Sequence, residues 1–110
     1  MPAQAPLGEF EVVVLMAVLH LRDDAYGSSI RNDIERRTGR PVSRGAVYIT
    51  LERLEEKGLL ASKIGGATPG RGGRPKRLFR VTVGGVKAVK QSVASFVRMH
   101  RGLEPILGDL

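Results

Sequence analysis

Residues 43–60 read SRGAVYITLERLEEKGLL, and this stretch decides the fold. Ser43 is a residue type that caps helix N-termini, and Gly58 is one that ends helices. The apolar residues between them recur at the three- and four-residue spacing of one helical face: Val47, Leu51 and Leu54. The stretch therefore predicts an amphipathic helix that buries one side and exposes the other.

Positive charge is concentrated in the second half of the chain. The protein carries a net charge of +7, and the run that begins at Lys57 contains no acidic residue until Glu104. So one-sided a distribution indicates a polyanionic partner, either a nucleic acid or an anionic membrane surface. A basic face that serves only solubility is the alternative interpretation of the same pattern.

The composition limits the class of protein. A chain of 110 residues supports one modest hydrophobic core, and a chain without cysteine has no disulfide or thiolate metal site. The longest apolar run, Val12–Leu19, is too short to cross a bilayer, and the residues before it lack the basic start of a secretion signal. We therefore expect a cytoplasmic protein with no membrane partner.

Two further helices are predicted before this one. The first covers residues 10–21, and because it is apolar on every side we expect it to be buried partly against a second subunit. A turn at residues 23–27 separates it from the second helix, for which Ser28 or Ser29 is the expected cap. A glycine and a proline within residues 39–41 mark the end of that second helix.

A short β-hairpin and a final helix are predicted after residue 60. The strands cover residues 61–64 and 77–83, and the loop between them is rich in glycine and proline. Thr82 is the expected cap of the final helix, whose apolar residues step by three and four like the seam of a coiled coil. This seam, which we expect to form a dimer interface, consists of Val86, Val89, Val93, Phe96 and Val97.

The order of these elements predicts a mainly α fold with a small β-hairpin. It is a winged helix-turn-helix with an added C-terminal dimerisation helix. The winged helix-turn-helix domain is assigned to residues 1–83, and the dimerisation helix and tail to residues 84–110. The third helix can enter a DNA groove, and the hairpin, here called the wing, lies next to it as a basic arm.

The sequence resembles the PadR family of bacterial transcriptional regulators over most of residues 7–90. Four segments carry the resemblance: AYG at 25–27, VSRGAVY at 42–48, LERLEEKGLL at 51–60 and RLFRVT at 77–82. The resemblance implies a homodimeric repressor that binds a pseudo-palindromic operator on double-stranded DNA. It also implies that the third helix lies in the major groove and that the hairpin acts as the wing.

Some features depart from the family pattern. Ile49 stands where family members often carry proline, and residues 83–85, Val-Gly-Gly, stand where many carry acidic residues. Two glycines weaken the first turn of a helix by roughly 1 kcal/mol each. The chain also has no tryptophan, which some relatives use to bind flat aromatic effectors. A small-molecule effector therefore stays possible but unidentified.

A helical wheel places the candidate DNA-reading residues on the N-terminal half of the third helix: Ser43, Arg44, Gly45, Tyr48 and Ile49. Arg44 can donate two hydrogen bonds to the acceptors of guanine, and Ile49 can make an apolar contact with a thymine methyl group. Gly45 allows the helix to approach the DNA closely. The Tyr48 hydroxyl suits a phosphate. Core packing of the Tyr48 ring is an alternative, as is an ordinary surface position for Ile49. Glu52 and Glu56 lie in the C-terminal half, where phosphate would repel them.

Four basic residues on or beside the wing loop are further candidate DNA contacts: Arg71, Arg74, Lys76 and Arg77. The Gly-Arg-Pro at residues 73–75 looks like the core of AT-hook peptides, which lay arginine into the minor groove. Simple neutralisation of phosphates by the same side chains is the alternative.

Other functions find less support in the sequence. A winged helix can also serve as a protein-interaction module, but Arg44 and the basic wing favour DNA. A peripheral membrane binder would need apolar anchors in the wing loop, which has none. His20 and His100 lie far apart with no cysteine or carboxylate cluster beside them, and the glycines match no P-loop. The sequence therefore predicts no enzyme activity, no metal and no cofactor.

Overall fold

The computed structural model describes residues 6–65 and 75–110. The helices of these residues are α1 (Glu9–Leu21), α2 (Gly27–Thr38), α3 (Arg44–Glu56), α4 (Val83–His100) and α5 (Glu104–Leu107). The strands are β1 (Leu60–Ile64) and β2 (Arg77–Val81), and a single 3-10 turn, Arg22–Asp24, follows α1. The predicted mainly α fold with a small hairpin is confirmed.

The hydrophobic core lies where α1, α2 and α3 meet. Its fully buried side chains come from all three helices: Val14, Leu15, Val18, Ile30, Val47, Leu51 and Leu54. On α1 only Leu19, which is 43% exposed, is a large apolar residue left at the surface. Much of α1 is thus buried by α2, α3, β2 and α4 of the same chain. The expectation that a second subunit covers part of α1 stays a prediction.

The hairpin packs against this core through one face. β1 and β2 pair antiparallel with Leu60 opposite Val81, and Leu60 and Phe79 are buried. The Phe79 amide N–H donates to the Ala25 carbonyl at 2.8 Å, which ties β2 to the segment before α2. The wing therefore has a fixed base next to the start of α2.

Two of the predicted helix caps are confirmed. The Ser43 hydroxyl accepts a hydrogen bond from the Ala46 N–H at 3.1 Å at the start of α3. The Thr82 hydroxyl accepts one from the Gly85 N–H at 3.1 Å at the start of α4. Because Thr82 caps α4, β2 ends at Val81, two residues before the end predicted from the sequence.

The start of α2 differs from the sequence prediction. The helix begins at Gly27, so neither Ser28 nor Ser29 precedes it. Ser29 instead lies in the first turn, where its hydroxyl oxygen accepts a hydrogen bond from the Tyr26 N–H at 2.9 Å. The other end agrees with expectation, since Gly39 closes the helix in the left-handed region at φ 71°.

One of the two glycines at the start of α4, Gly85, has a structural role that the sequence did not reveal. A Cβ on Gly85 would lie 2.2 Å from the Leu59 carbonyl oxygen and 2.6 Å from Val81 Cγ1. Only glycine lets α4 approach the hairpin so closely. Gly84 has no such constraint, because the nearest atom to a Cβ there would be 3.7 Å away.

Beyond α4 the chain turns at Gly102, whose φ of 93° is in the left-handed region, and enters the short α5. Ile106 and Leu107 of α5 are 81% and 64% exposed. Within the described part of the chain, no helix combines the length and the apolar character needed to cross a membrane.

Candidate nucleic-acid interface

The five candidate residues of α3 lie together on one exposed surface of the protein. They are Ser43, Arg44, Gly45, Tyr48 and Ile49, and we call this surface the α3 face. The opposite side of the helix buries Val47, Thr50, Leu51 and Leu54 in the core. Ile49 is 58% exposed although it is apolar, so its side chain is available for contact with another molecule.

The loop before α3 is held by hydrogen bonds from α2. Arg31 Nε donates to the Val42 carbonyl at 2.8 Å, and the Val42 N–H donates to Glu35 Oε2 at 2.8 Å. Both backbone groups of Val42 are therefore paired with side chains of one helix. This arrangement fixes the angle between α2 and α3, and with it the position of Ser43 and Arg44.

The C-terminal end of α3 is held by a partly buried ion pair with α1. Lys57 Nζ lies 2.8 Å from Glu11 Oε2, and the Gly8 N–H donates to Glu11 Oε1 at 2.9 Å. Burial alone would raise the pKa of Glu11. The hydrogen bonds from Lys57 and Gly8, with the positive charges of Lys57 and Arg53, outweigh that effect and lower this pKa. Glu11 is therefore ionised and anchors α3 through Lys57.

Tyr48 connects the α3 face to the start of α2. A Cβ on Gly27 would lie 2.6 Å from the Tyr48 hydroxyl oxygen and 2.8 Å from its Cζ, so the phenol lies directly against this glycine. Tyr48 is nevertheless 49% exposed. The ring thus packs within the protein and still reaches the surface, and the contact of its hydroxyl with a phosphate stays a prediction. No sequence pattern indicated this role of Gly27, although the Tyr-Gly pair at 26–27 is part of a segment that carries the family resemblance.

Lys76 extends this surface to the base of the wing. Its Nζ lies 3.7 Å from the centre of the Tyr26 ring, a cation–π contact. Tyr26 directly precedes Gly27, so a basic group of the wing, the start of α2 and the α3 face form one continuous surface. No sequence pattern indicated this contact, because it joins side chains far apart in the chain.

Arg77 braces the wing against α3. Its guanidinium pairs with the carboxylate of Glu55, and its Nε donates to the Ser62 hydroxyl at 2.9 Å. The Ser62 hydroxyl in turn donates to Glu55 Oε2 at 2.6 Å. Arg77 therefore differs from Lys76 in having a carboxylate partner within the chain. The other two candidates of the wing, Arg71 and Arg74, lie outside the described residues.

The predicted seam on α4 divides between two environments. Val89 is 8% exposed and packs in the core of its own chain, with Val86 partly buried beside it. Val93 and Val97 are each 38% exposed, and Phe96 is 59% exposed. Val89 therefore attaches α4 to the core, and the later part of the seam presents apolar side chains at the surface.

One family model matches most of the chain. Residues 15–91 match the transcriptional regulator PadR-like family. No curated protein matches the sequence significantly.

Solved structures of regulators share the fold. A PadR-like transcriptional regulator from Bacillus cereus superposes with a TM-score of 0.73 at 17% identity, covering 92% of this chain and 93% of that one. A PadR family regulator from Eggerthella lenta gives a TM-score of 0.69 at 25% identity, with 93% and 88% coverage. A transcriptional regulator from Clostridium thermocellum gives 0.72 at 21% identity, with 88% of each chain covered.

Proposed function

This chain belongs to the PadR-like family of transcriptional regulators, and from that premise we propose that it is a sequence-specific repressor. It binds a pseudo-palindromic operator on double-stranded DNA as a homodimer. The observation that carries this proposal is the α3 face, an exposed half-helix with a basic and an apolar side chain next to a basic wing.

In this proposal the N-terminal half of α3 enters the major groove. Arg44 donates two hydrogen bonds to the O6 and N7 acceptors of guanine, and the exposed Ile49 contacts a thymine methyl group. Gly45 lets the helix backbone come close to the base edges, because it has no side chain. Nothing within the protein requires a glycine there, since a Cβ would meet no atom within 4 Å. These three residues supply base recognition.

Phosphate contacts surround this reading surface. Tyr48, whose hydroxyl reaches the start of α2, and Ser43 at the start of α3 are placed to bond backbone phosphates. The basic residues of the wing neutralise further phosphates, with Arg71, Arg74 and Lys76 as the main contributors. Arg77 acts chiefly by holding the wing against α3, because its charge is already paired with Glu55.

A homodimer gives the protein two α3 faces related by a two-fold axis, which explains why the operator is pseudo-palindromic. Val93, Phe96 and Val97 are the exposed apolar residues of α4 that pair with a second copy. Val89 supports them by attaching α4 to the core, and Val86 lies partly buried one turn before it. We accordingly divide the chain into a DNA-binding domain of residues 1–83 and a dimerisation segment of residues 84–110.

This function requires no catalytic step, and its site of action is the DNA in the cytoplasm. A small-molecule effector that releases the DNA is compatible with the proposal, but no residue of the described chain identifies one.

The decisive experiment is selection of DNA ligands from a random library, followed by titration of the selected site by fluorescence anisotropy at several salt concentrations. We expect a two-fold-symmetric consensus that is bound roughly a thousandfold or more tightly than unrelated DNA. A reporter gene placed downstream of the consensus should be repressed when the protein is expressed. A protein that enriches no sequence would instead fit the interaction-module alternative.

A further inference from the structure

Glu52 lies one turn beyond Ile49 on α3, at the C-terminal edge of the surface that faces DNA in the proposed complex. At about 100° per residue, it follows Gly45 and Ile49 along the same side of α3 and points away from the buried Val47 and Leu51. It is exposed. An acidic side chain at this position is unexpected in a DNA-binding surface, because phosphates repel it.

Two nearby acidic residues, unlike Glu52 and Glu56, have partners within the described residues that explain them. Glu55 accepts from Arg77 and Ser62, and Glu11 pairs with Lys57. For Glu52, no hydrogen bond or ion pair with another side chain occurs within residues 6–65 and 75–110. Its carboxylate is therefore available to a donor on another molecule.

We infer that Glu52 is a specificity-determining residue that accepts a hydrogen bond from the exocyclic amine of cytosine in the major groove. This inference rests on the proposed function and extends base reading beyond Arg44 and Ile49. An ionised carboxylate can only accept hydrogen bonds, and the major groove offers donors only on cytosine and adenine. Adenine places its N7 acceptor next to the donor, where it repels a carboxylate, so cytosine is the better partner.

Glu56 provides a matched comparison on the same helix. It is exposed on the same side of α3 one turn later, in the last turn of the helix. Glu52, Glu55, Glu56 and Arg77 line one shallow groove, and Arg77 pairs there with Glu55. If a carboxylate here only repelled phosphates, replacing Glu52 or Glu56 would raise the affinity for all DNA sequences alike. If Glu52 reads a base, only its replacement would change the base preference.

The experiment repeats the random-library selection with the wild-type protein, Glu52→Ala, Glu52→Gln and Glu56→Ala. We expect the wild type to prefer cytosine at one position of each half-site by roughly 5- to 150-fold, and Glu52→Ala to lose this preference. Glu52→Gln should move the preference at that position to adenine, because an amide can pair with both N6 and N7 of adenine. Glu56→Ala should keep the wild-type consensus.

The outcomes separate the inference from the function on which it rests. A wild-type consensus that Glu52→Ala and Glu52→Gln leave unchanged would overturn the role of Glu52 while leaving the regulator function intact. So would a uniform rise in affinity for all sequences in Glu52→Ala and Glu56→Ala alike, which is the signature of simple repulsion. Absence of any wild-type consensus would overturn both. Circular dichroism of each variant checks that these exposed replacements leave the fold unchanged.

Discussion

The Tyr48 ring lies so close to the α-carbon of Gly27 that a methyl group there would be 2.6 Å from the phenol oxygen. Gly27 is buried at the first position of α2, whereas Tyr48 is half exposed on α3. The two residues therefore join the start of α2 to the α3 face. Because Gly27 has no side chain, the phenol ring of Tyr48 can pack directly against the start of α2.

Gly27→Ala should weaken DNA binding more than it weakens the fold. The added methyl group pushes the half-exposed phenol towards solvent, and the gain of roughly 1 kcal/mol in helix propensity offsets part of the packing loss. We expect the free energy of unfolding to change by less than about 1.5 kcal/mol. Operator affinity should fall as far as it does in Tyr48→Ala, and the double variant should lose no more. Additive losses on titration would mean that Gly27 acts independently of Tyr48.

Gly85→Ala and Gly84→Ala should have opposite effects on stability, although the two residues are neighbours. At Gly85 the obstacle is the Leu59 carbonyl oxygen, 2.2 Å from the added carbon, and a backbone atom cannot move aside cheaply. We expect a loss of roughly 2–3 kcal/mol. At Gly84, with no atom nearer than 3.7 Å, alanine should stabilise the helix by up to roughly 1 kcal/mol. Urea unfolding of both variants measures the difference, and equal effects would contradict the close approach of α4 to the hairpin.

Local features of this chain could be predicted from the sequence, and long-range ones could not. Ser43 and Thr82 act on backbone groups within three residues, so their capping roles follow from residue type alone. The brace between Arg77 and Glu55 spans 22 residues, and nothing in either neighbourhood indicates the other partner. Nor does any local signal reveal why Gly85 must be glycine.

The same distinction applies to the candidate interface. Helical periodicity predicted which side of α3 is exposed, because one buried stripe defines its opposite. On α4 the periodicity identified an apolar stripe, but it could not indicate which residues of the stripe are buried within the chain and which are exposed. Val89 packs on its own core whereas Phe96 remains exposed, and this division depends on where the core ends rather than on spacing.

Val93→Asp should convert the protein to a monomer. Val93 lies between the buried Val89 and the exposed Val97, so a carboxylate there would be desolvated without a partner on dimerisation. We expect the dimer dissociation constant to rise at least a hundredfold, on the order of 3 kcal/mol. Gln91→Asp adds the same charge on the other side of α4 and should leave the dimer in place. Sedimentation at micromolar concentration tests this, and a wild-type monomer or a dimeric Val93→Asp would refute the assigned seam.

Arg44→Ala should reduce affinity for the operator by about 1–3 kcal/mol and have a much smaller effect on unrelated DNA. The reason is that a bidentate contact with guanine exists only at the correct sequence. Competition titrations with operator and scrambled duplexes measure both losses in the same buffer. Equal losses would show that Arg44 contacts only phosphate.

The wing residues should separate into two classes by their salt dependence. Replacing Arg71, Arg74 and Lys76 by alanine should weaken binding to operator and unrelated DNA about equally. It should flatten the slope of log K against log salt by about 1 for each lost phosphate contact in each subunit. Arg77→Ala should keep nearly the wild-type slope, because its guanidinium is paired with Glu55. Its main effect should be a loss of up to about 1 kcal/mol of folding stability, since the pair is partly exposed to solvent.

A selective loss of affinity by the triple variant at sites with A·T-rich flanks would instead indicate insertion into the narrow minor groove. A triple variant with an unchanged salt slope would exclude these wing residues from the DNA interface.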